Sequence, residues 1–329
     1  MKKMNFNFIS YLNPFKYSGG GETVNKKLLE YGTRRGHTFN FTSAKNRIHN
    51  YKPEADMDIL VDVFNFPHTL KSGGNWISLE KSFIQRVVQT RPFVHLSHAY
   101  VDVCNLGYLP CSGVAENPCP SKSSFSLSGS MIRQEFSKSC FAQYDLVQDL
   151  FKNSLANIFV SPLHREITEK VLGFPLFESS IILKPIISTS DFVNKNQTRD
   201  IEYLFVGVIS EAKGISNLRN GFRDKNIVLA GKIHPSTTLD FGTYIGEVPY
   251  SEMPSLMNRA VNFVYLPRWP EPQGRVVIEA ALSGCNLITN ENVGATSFPF
   301  DIADPNNLQK AEEEFWTSLE GVCDASTKG

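Results

Sequence analysis

Two glutamates in the last third of the chain, Glu271 and Glu279, have a spacing that suits a phosphorylated ligand. They stand eight positions apart in the segment WPEPQGRVVIEA, where a helix is expected to begin near Gly274. At ~1.5 Å rise per residue, Glu279 lies about 8 Å along the axis from the helix start. Both carboxylates can accept hydroxyl groups, and the free N–H groups of the first turn attract a diphosphate between them. A sugar and a ribose joined by a diphosphate fit this spacing, although on spacing alone surface glutamates after a proline turn are the simpler interpretation.

A lysine occupies a position suited to the same ligand. The apolar segment Ile201–Val206 predicts a strand, and Lys213 with Gly214 stands where the next helix begins. One cation ~4 Å from a phosphate contributes about 4 kcal/mol at an effective dielectric constant of 20, before desolvation. Alone, Lys213 would be interpreted as a surface lysine. Its occurrence together with Glu271 and Glu279 favours a phosphate-binding role.

A glycine loop, Gly19-Gly20-Gly21, separates the first predicted strand from the first predicted helix. Such a loop lets the backbone approach a ligand, and the helix start supplies N–H donors. The loop is not G-x-G-x-x-G, and no acidic residue ends a second strand about twenty positions further on. A nicotinamide-dependent dehydrogenase is therefore disfavoured.

Two further patterns contain residue types that bind metal ions. Asp56-Met57-Asp58 is a D-x-D, but it directly precedes the predicted strand Ile59–Phe64, so both aspartates are interpreted as strand-edge residues. Three cysteines have the spacing C-x6-C-x7-C, which is not that of a zinc ribbon. They are Cys104, Cys111 and Cys119. Free thiols in an irregular loop are expected, with a small structural metal site as the alternative.

The composition is that of a globular protein. The 329 residues are 41% hydrophobic and 20% charged, with 33 lysines and arginines against 33 aspartates and glutamates. This predicts about two domains and excludes disordered, collagen-like and disulfide-scaffold proteins. Zero net charge argues against a nucleic-acid partner. Six cysteines without a secretion signal predict reduced thiols in the cytoplasm. The sequence contains no run of 18 apolar residues, so no membrane span is predicted.

Positive charge is concentrated at the amino terminus. The first 50 residues hold nine lysines and arginines but only two acidic residues. A basic face there suits phosphorylated ligands or an anionic membrane surface, which leaves peripheral membrane contact open. For most of these side chains a solvated helix face is the simpler interpretation.

The elements that must position these residues alternate along the chain, as is typical of parallel sheets built from βαβ units. The predicted strands are Phe6–Leu12, Thr38–Thr42, Ile59–Phe64, Pro92–Leu96, Ile158–Ser161, Ile201–Val206, Ile227–Ala230, Val261–Leu266 and Cys285–Thr289. The predicted helices are Glu22–Arg35, Gln134–Lys152, Leu163–Leu172, Gly214–Phe222, Ser251–Arg259, Gly274–Leu282 and Asn307–Leu319. The polar segment Ser188–Asp200 predicts a linker. We therefore predict an α/β protein of two Rossmann-like domains with a cleft between them.

The segment from Trp269 to Thr289 resembles the E-x7-E signature of GT-B glycosyltransferases of family 4. YLFVGVISEAKG, which ends at Gly214, resembles that family's strand followed by Gly-Arg and Lys-Gly, and YSGGGETV resembles its amino-terminal glycine loop. The resemblance covers most of the chain, most strongly 201–295 and least 100–130. It implies an acceptor-side domain at 1–190, a linker at 191–200 and a nucleotide-sugar-binding domain at 201–329, with the last helix returning to the first domain.

The resemblance also implies roles for the candidate residues. Glu271 would contact the transferred sugar, Glu279 the ribose and Lys213 the diphosphate. His98, at the end of its strand, would lie near the sugar, whereas His95 would lie inside the strand. The other candidates for donor binding are Gly19, Gly20, Gly21, Gly207, Arg268, Gly274 and Arg275. Gly294 and Ala295 match segments of the family that face the sugar and the phosphates.

The chain departs from the family at Val208, where an arginine usually adds a second positive charge. Arg268 or Arg275 would have to compensate, or donor binding would be weaker. No metal ligand and no cofactor are implied. The predicted partners are a nucleotide-sugar donor and an acceptor hydroxyl on a glycan, a lipid-linked molecule or another compound.

We therefore predict a retaining glycosyltransferase of polysaccharide, lipopolysaccharide or other glycoconjugate synthesis. Front-face displacement requires no protein nucleophile, because the acceptor attacks on the side from which the diphosphate leaves. Two alternatives stay open. A GT-B-fold sugar-nucleotide epimerase is not expected to carry E-x7-E beside Lys213-Gly214, whereas a catalytically inactive binding subunit is favoured by Val208.

Overall fold

The computed structural model describes residues 3–17, 19–43, 48–64, 81–104, 140–176, 178 and 180–326. The strands are β1 (Asn5–Ser10), β2 (Thr38–Ser43), β3 (Ile48–His49), β4 (Met57–Val61), β5 (Phe93–Ser97), β6 (Asn157–Phe159), β7 (Ser180–Ile182), β8 (Ile201–Val206), β9 (Ile227–Ala230), β10 (Thr243–Gly246), β11 (Ala260–Tyr265) and β12 (Asn286–Thr289). The helices are α1 (Gly20–Arg34), α2 (Lys81–Thr90), α3 (Asp145–Lys152), α4 (Pro162–Leu172), α5 (Ile215–Phe222), α6 (Met253–Asn258), α7 (Arg275–Leu282), α8 (Pro305–Leu308) and α9 (Ala311–Ser326).

The strands form two sheets. The first has the order β3-β2-β1-β4-β5-β6-β7 and the second the order β10-β9-β8-β11-β12. All neighbours pair in parallel except β2 and β3, which are antiparallel. The prediction of two Rossmann-like units is therefore confirmed. The sequence did not indicate β3, β7, β10 or α2, and the first part of the predicted helix Gln134–Lys152 lies outside the described residues.

Two central strands of the first sheet, β4 and β5, lie in the core. All five residues of β4 and of β5 are buried, which fits strands covered on both faces. Asp58 is one of them. It is the second residue of β4 and Asp56 directly precedes the strand, so both lie at its amino-terminal end as expected, but the burial of Asp58 was not predicted. Its carboxylate is fully buried and accepts hydrogen bonds from Asn7 Nδ2 at 2.6 Å and from Tyr51 OH at 3.0 Å. Paired donors explain how the core holds it.

The segment that joins the two sheets is packed against the second one. It contains no helix or strand between β7 and β8 within the described residues. Phe192 is buried in the second core, and the Arg199 guanidinium donates to the carbonyl oxygen atoms of Ala260 and Ser283. The domain boundaries at 190 and 201 stay predictions.

The last helix, α9, packs against the first sheet. Trp316 is buried there and its Nε1 donates to the Leu28 carbonyl at 2.7 Å. Arg35 donates to both carboxylate oxygens of Glu320, at 2.9 and 2.6 Å. The carboxyl-terminal end of the described chain is thus part of the first core.

Candidate active site

The loop between β11 and α7 carries Glu271 and is held from behind. Glu271 N donates to the Asn292 carbonyl at 2.7 Å, and Gly294 N donates to the Glu271 carbonyl at 3.0 Å. Gly294 cannot carry a side chain, because a Cβ would lie 2.0 Å from the Pro272 carbonyl oxygen. Gly294 and Ala295 are buried beneath this loop. They support the backbone of Glu271 and are not among the residues that line the neighbouring cavity, so their contact with a ligand stays a prediction.

One oxygen atom of Glu271 accepts hydrogen bonds from three side chains. Its Oε2 receives the Lys213 ammonium group, Trp269 Nε1 at 2.9 Å and Tyr265 OH at 3.1 Å. The Lys213 Nζ atom also lies 4.8 Å from the centre of the Trp269 ring, within the range of a cation–π contact. Burial, with the charge of Glu271, raises the pKa of Tyr265 well above its ordinary value, so this phenol is a hydrogen-bond donor at neutral pH. Lys213 and Glu271 thus neutralise each other.

Glu279 lies on the second turn of α7 and also has a cation beside it. Its side chain is buried, and Oε1 accepts a hydrogen bond from Tyr250 OH at 2.8 Å. Arg275 Nη2 lies 3.9 Å from the same oxygen. Burial raises the pKa of Glu279, while the Tyr250 hydrogen bond and the Arg275 charge oppose that rise. Each of the two glutamates is therefore adjacent to one cation.

Arg275 joins the two sheets as well. It begins α7, directly after Gly274, whose φ of 76° is the left-handed conformation that glycine adopts most easily. Its Nη1 atom lies 3.4 Å from the Gly20 carbonyl at the start of α1. Beside it, Gln273 Nε2 donates to the Val160 carbonyl at 2.8 Å. The loop before α7 therefore contacts the first sheet directly.

A cavity of about 200 Å³ lies between the two units at this point. It is lined by Gly20, Gly21, Val24, His98, Val160, Glu271, Pro272, Gln273, Gly274 and Arg275. Six of the residues proposed from sequence thus surround one space, although they come from three loops. The glycines at the start of α1 offer backbone N–H groups that have no acceptor within the helix.

His98 follows β5 and is held by a residue that the sequence analysis missed. Asp62 accepts a hydrogen bond from His98 N at 2.9 Å and another from His98 Nδ1 at 3.0 Å. Burial raises the pKa of Asp62, but the charge and the hydrogen bonds of His98 outweigh burial and hold the pKa below its ordinary value. The Nε2 atom of His98 is buried and has no hydrogen-bond partner among the described residues.

Asp62 has a φ of 46°, which is strained for a residue with a side chain. It directly follows β4, the neighbour of β5, whereas the predicted strand Ile59–Phe64 ran past it, so the sequence did not place Asp62 at a strand end. His95 lies inside β5, as expected, and contacts Asp102 at 2.7 Å. Trp269, Tyr265 and Tyr250 were also missed as site residues, because the sequence does not show which side chains surround the glutamates.

The remaining candidates lie outside the lining of the cavity. Lys213 and Glu279 reach it through their partners Glu271 and Arg275. Gly19 precedes α1, and Gly207 follows β8 beside Gly231. Arg268 Nη1 lies 3.3 Å from Glu211, and Val208 is 44% exposed. Of the two arginines expected to compensate for Val208, only Arg275 reaches the cavity.

The described parts of the chain show neither a metal-binding cluster nor a membrane-spanning helix. No group of three or more histidine, cysteine, aspartate or glutamate side chains there could hold a metal ion. None of the helices described is long and apolar enough to cross a bilayer. Cys111 and Cys119, two of the three cysteines singled out from sequence, lie outside the described residues.

Solved structures with the same architecture identify the fold. Sucrose-phosphate synthase from Thermosynechococcus elongatus matches with a TM-score of 0.57 at 14% identity, over 99% of this chain and 98% of that chain. HepE from Anabaena, in complex with UDP and glucose, matches with a TM-score of 0.53 at 12% identity, over 94% and 92%. This chain has the GT-B fold.

The galactosyltransferase WaaB of the lipopolysaccharide outer core also matches the GT-B architecture of this chain, with a TM-score of 0.52 at 13% identity over 98% and 91% of the two chains. No protein-family model and no curated protein matches the sequence. At these identities the likeness establishes the fold, and the activity must be argued from the site.

Proposed function

We propose that this chain is a retaining glycosyltransferase of the family 4 type that transfers a sugar from a nucleoside-diphosphate sugar to an acceptor hydroxyl. The observation that carries the proposal is the pair of glutamate–cation contacts at the cleft. Lys213 neutralises Glu271, and Arg275 lies beside Glu279. A nucleotide sugar can bind both members of each pair. Its diphosphate would bind the lysine and arginine side chains, and its hydroxyl groups would donate hydrogen bonds to the carboxylates.

In this assignment Glu271 accepts a hydroxyl of the transferred sugar, and Glu279 accepts a hydroxyl of the ribose. Lys213, Arg275 and the amides of Gly20 and Gly21 receive the diphosphate. All of these groups lie around the cavity or contact a residue that lines it. Arg275 compensates for the absence of an arginine at position 208, because its side chain supplies a second positive charge from another loop.

The reaction that we propose is a front-face displacement. The bond between the anomeric carbon and the phosphate oxygen breaks, and the acceptor oxygen forms its bond to that carbon on the same face. The acceptor proton passes to the departing phosphate oxygen. The protein holds both reactants and stabilises the charge on the leaving diphosphate. With Lys213 and Arg275 as cations, the reaction does not require a divalent metal ion.

HepE gives a first choice of donor, since one of its solved complexes contains UDP-glucose. The test is a panel of nucleotide sugars incubated with the purified full chain, with release of nucleoside diphosphate as the readout. We expect slow donor hydrolysis for at least one donor, undiminished by excess chelator. The Glu271→Gln variant is the control for contaminating hydrolases.

Three other results would contradict the proposal. Binding of a nucleotide sugar without any turnover indicates the inactive binding subunit, which the exposed Val208 favours. Release of an epimerised sugar or sugar nucleotide indicates an epimerase. Activity lost with chelator and restored by manganese indicates metal-dependent chemistry.

A further inference from the structure

A second cavity lies on the first unit, beside the glycine loop, and it is basic. Its volume is about 430 Å³, and its lining includes Phe15, Lys16, Tyr17, Thr23, Lys26 and Lys27. We name it the lysine cavity. It lies between the loop that follows β1 and the outer face of α1. The nucleotide-sugar site proposed above does not use any of these side chains.

The lysine cavity carries positive charge that the described protein does not neutralise. Lys26 lies 3.9 Å from Glu30, and both side chains are about half exposed, so this contact is weak. Neither Lys16 nor Lys27 has an ion pair with a described residue. Three lysines and one glutamate leave an excess of two positive charges in the lining. A phosphate monoester carries about −1.5 to −2 at neutral pH, which matches that excess.

The cavity also has an aromatic wall. Phe15 is 48% exposed, and its ring packs edge-on against the ring of Phe41 at 5.6 Å between ring centres. Tyr17 lines the same space. An exposed aromatic ring beside lysines suits a sugar ring that carries a phosphate, because the apolar face of the sugar packs on the aromatic face. The volume lies in the range of pockets for small molecules.

The lysine cavity is a neighbour of the cleft cavity. Gly20, Gly21 and Val24 line the cleft cavity, whereas Thr23 and Lys27 line the lysine cavity. Because Gly20, Thr23 and Lys27 are spaced i, i+3 and i+7 along one helix, the two cavities adjoin at the first turns of α1. The Glu22 carboxylate lies over Gly19, whereas Gly20 and Gly21 carry no side chain. A ligand anchored in the lysine cavity can pass over them and reach the cleft.

We propose that the lysine cavity binds the phosphate group of a phosphorylated sugar acceptor and so positions the acceptor hydroxyl for transfer. This inference rests on the proposed function and names the class of its acceptor. A concave site with an aromatic wall favours a discrete phosphorylated sugar over the flat surface of a membrane.

Calorimetry on the full chain tests this inference, with glucose 6-phosphate as the probe and glucose as its uncharged counterpart. We expect glucose 6-phosphate to bind at least tenfold more tightly than glucose. The double variant Lys16→Ala/Lys27→Ala should weaken glucose 6-phosphate binding at least tenfold. The matched control, Lys170→Ala/Lys195→Ala, removes two exposed lysines elsewhere and should leave that binding unchanged.

Donor binding separates this inference from the proposed function. The Lys16→Ala/Lys27→Ala variant should bind the nucleoside diphosphate selected by the donor panel within twofold of the wild type and should hydrolyse the donor at the same rate. Lys213→Ala should show the reverse, with weaker nucleoside diphosphate and unchanged glucose 6-phosphate binding. Failure of the donor panel contradicts the proposed function, whereas failure of glucose 6-phosphate alone contradicts only this inference.

Three results would overturn the inference. One is a complete absence of glucose 6-phosphate binding. Another is displacement of glucose 6-phosphate by the nucleoside diphosphate, which would place both in the donor site. The third is lysine-dependent binding to phosphatidylglycerol vesicles without binding of glucose 6-phosphate, which would make the same residues a membrane-binding surface.

Discussion

The two sides of the cleft are built in different ways. On the second sheet, charged side chains occur in pairs, Lys213 with Glu271 and Arg275 beside Glu279. On the first sheet, the cavity is lined by two glycines, two valines and one histidine, His98, which Asp62 holds. On the second side, a ligand can therefore replace the partner of each charged side chain. On the first side, the residues that line the cavity keep their positions and only His98 is polar in its side chain. Removal of a charge from the second side should therefore have the largest effect.

Lys213→Ala removes the cation that we assign to the diphosphate. We expect kcat/KM to fall about 100-fold, or about 2.7 kcal/mol, because the charge acts on the bound donor and on the leaving group alike. Binding of the free nucleoside diphosphate should weaken as well. Steady-state kinetics and calorimetry measure both effects, with Lys170→Ala as the surface control. Unchanged kinetics would remove Lys213 from the site.

The two glutamates separate the sugar from the ribose. Glu271→Gln should lower kcat by raising the activation free energy by about 2 kcal/mol, because a charge-assisted hydrogen bond to the reacting sugar is weakened. It should not weaken binding of the free nucleoside diphosphate, because it releases Lys213 from its ion pair. Glu279→Gln should weaken that binding about tenfold. Calorimetry measures the affinity of both variants for the free nucleoside diphosphate. An equal loss of affinity in the two variants would show that the roles of the glutamates are assigned wrongly.

The difference between the two sides also explains how much the sequence could predict. The second side comes largely from one continuous stretch, so Glu271, Gly274, Arg275 and Glu279 were all visible in a single motif. Both Rossmann-like units followed from the alternation of short and long apolar patterns. Even here, the motif did not show that Glu271 and Lys213 pair with each other, because that contact spans 58 positions of the chain.

The first side depends on contacts between loops that only the sheet order brings together. Asp62 and His98 are 36 positions apart, and they meet because β4 and β5 are neighbours. A lone aspartate after a strand carries no sign of such a partner. The lysine cavity was visible only as an excess of basic residues near the amino terminus. Its shape required the loop before α1 to fold against that helix.

Asp62→Asn tests whether the first side acts by positioning. We expect kcat/KM to fall about tenfold, because the imidazole loses the carboxylate that orients it. In a His98→Ala background the same substitution should have little further effect, since Asp62 would then have no group to orient. The pKa of Asp62 lies below its ordinary value, because the charge and hydrogen bonds of His98 outweigh burial, so the carboxylate is ionised at the neutral pH of the assay. Additive losses in the double variant would contradict a positioning role.

The smallest predicted effect concerns the interior of the first side. His164, in the first turn of α4, is fully buried, with the rings of Tyr100 and Phe159 edge-on at 4.8 and 5.3 Å. Burial lowers its pKa to about 3. An unfolded histidine has a pKa of about 6.5, so between these values only the unfolded chain takes up the proton. Stability should therefore fall as the pH drops below about 6.5.

Between pH 7.5 and pH 5.5 this histidine should lower the free energy of unfolding by about 1.3 kcal/mol. The variant His164→Phe keeps an aromatic ring beside Tyr100 and cannot take up a proton. Asp102 and Glu279, whose pKa values are raised by burial, favour the folded state at lower pH in both proteins, so they cancel in the comparison. Urea unfolding of the two proteins at both pH values measures the difference. Equal pH dependence would mean that His164 takes up its proton in the folded protein, and the first side of the cleft would then carry a charge of its own, as the second side does.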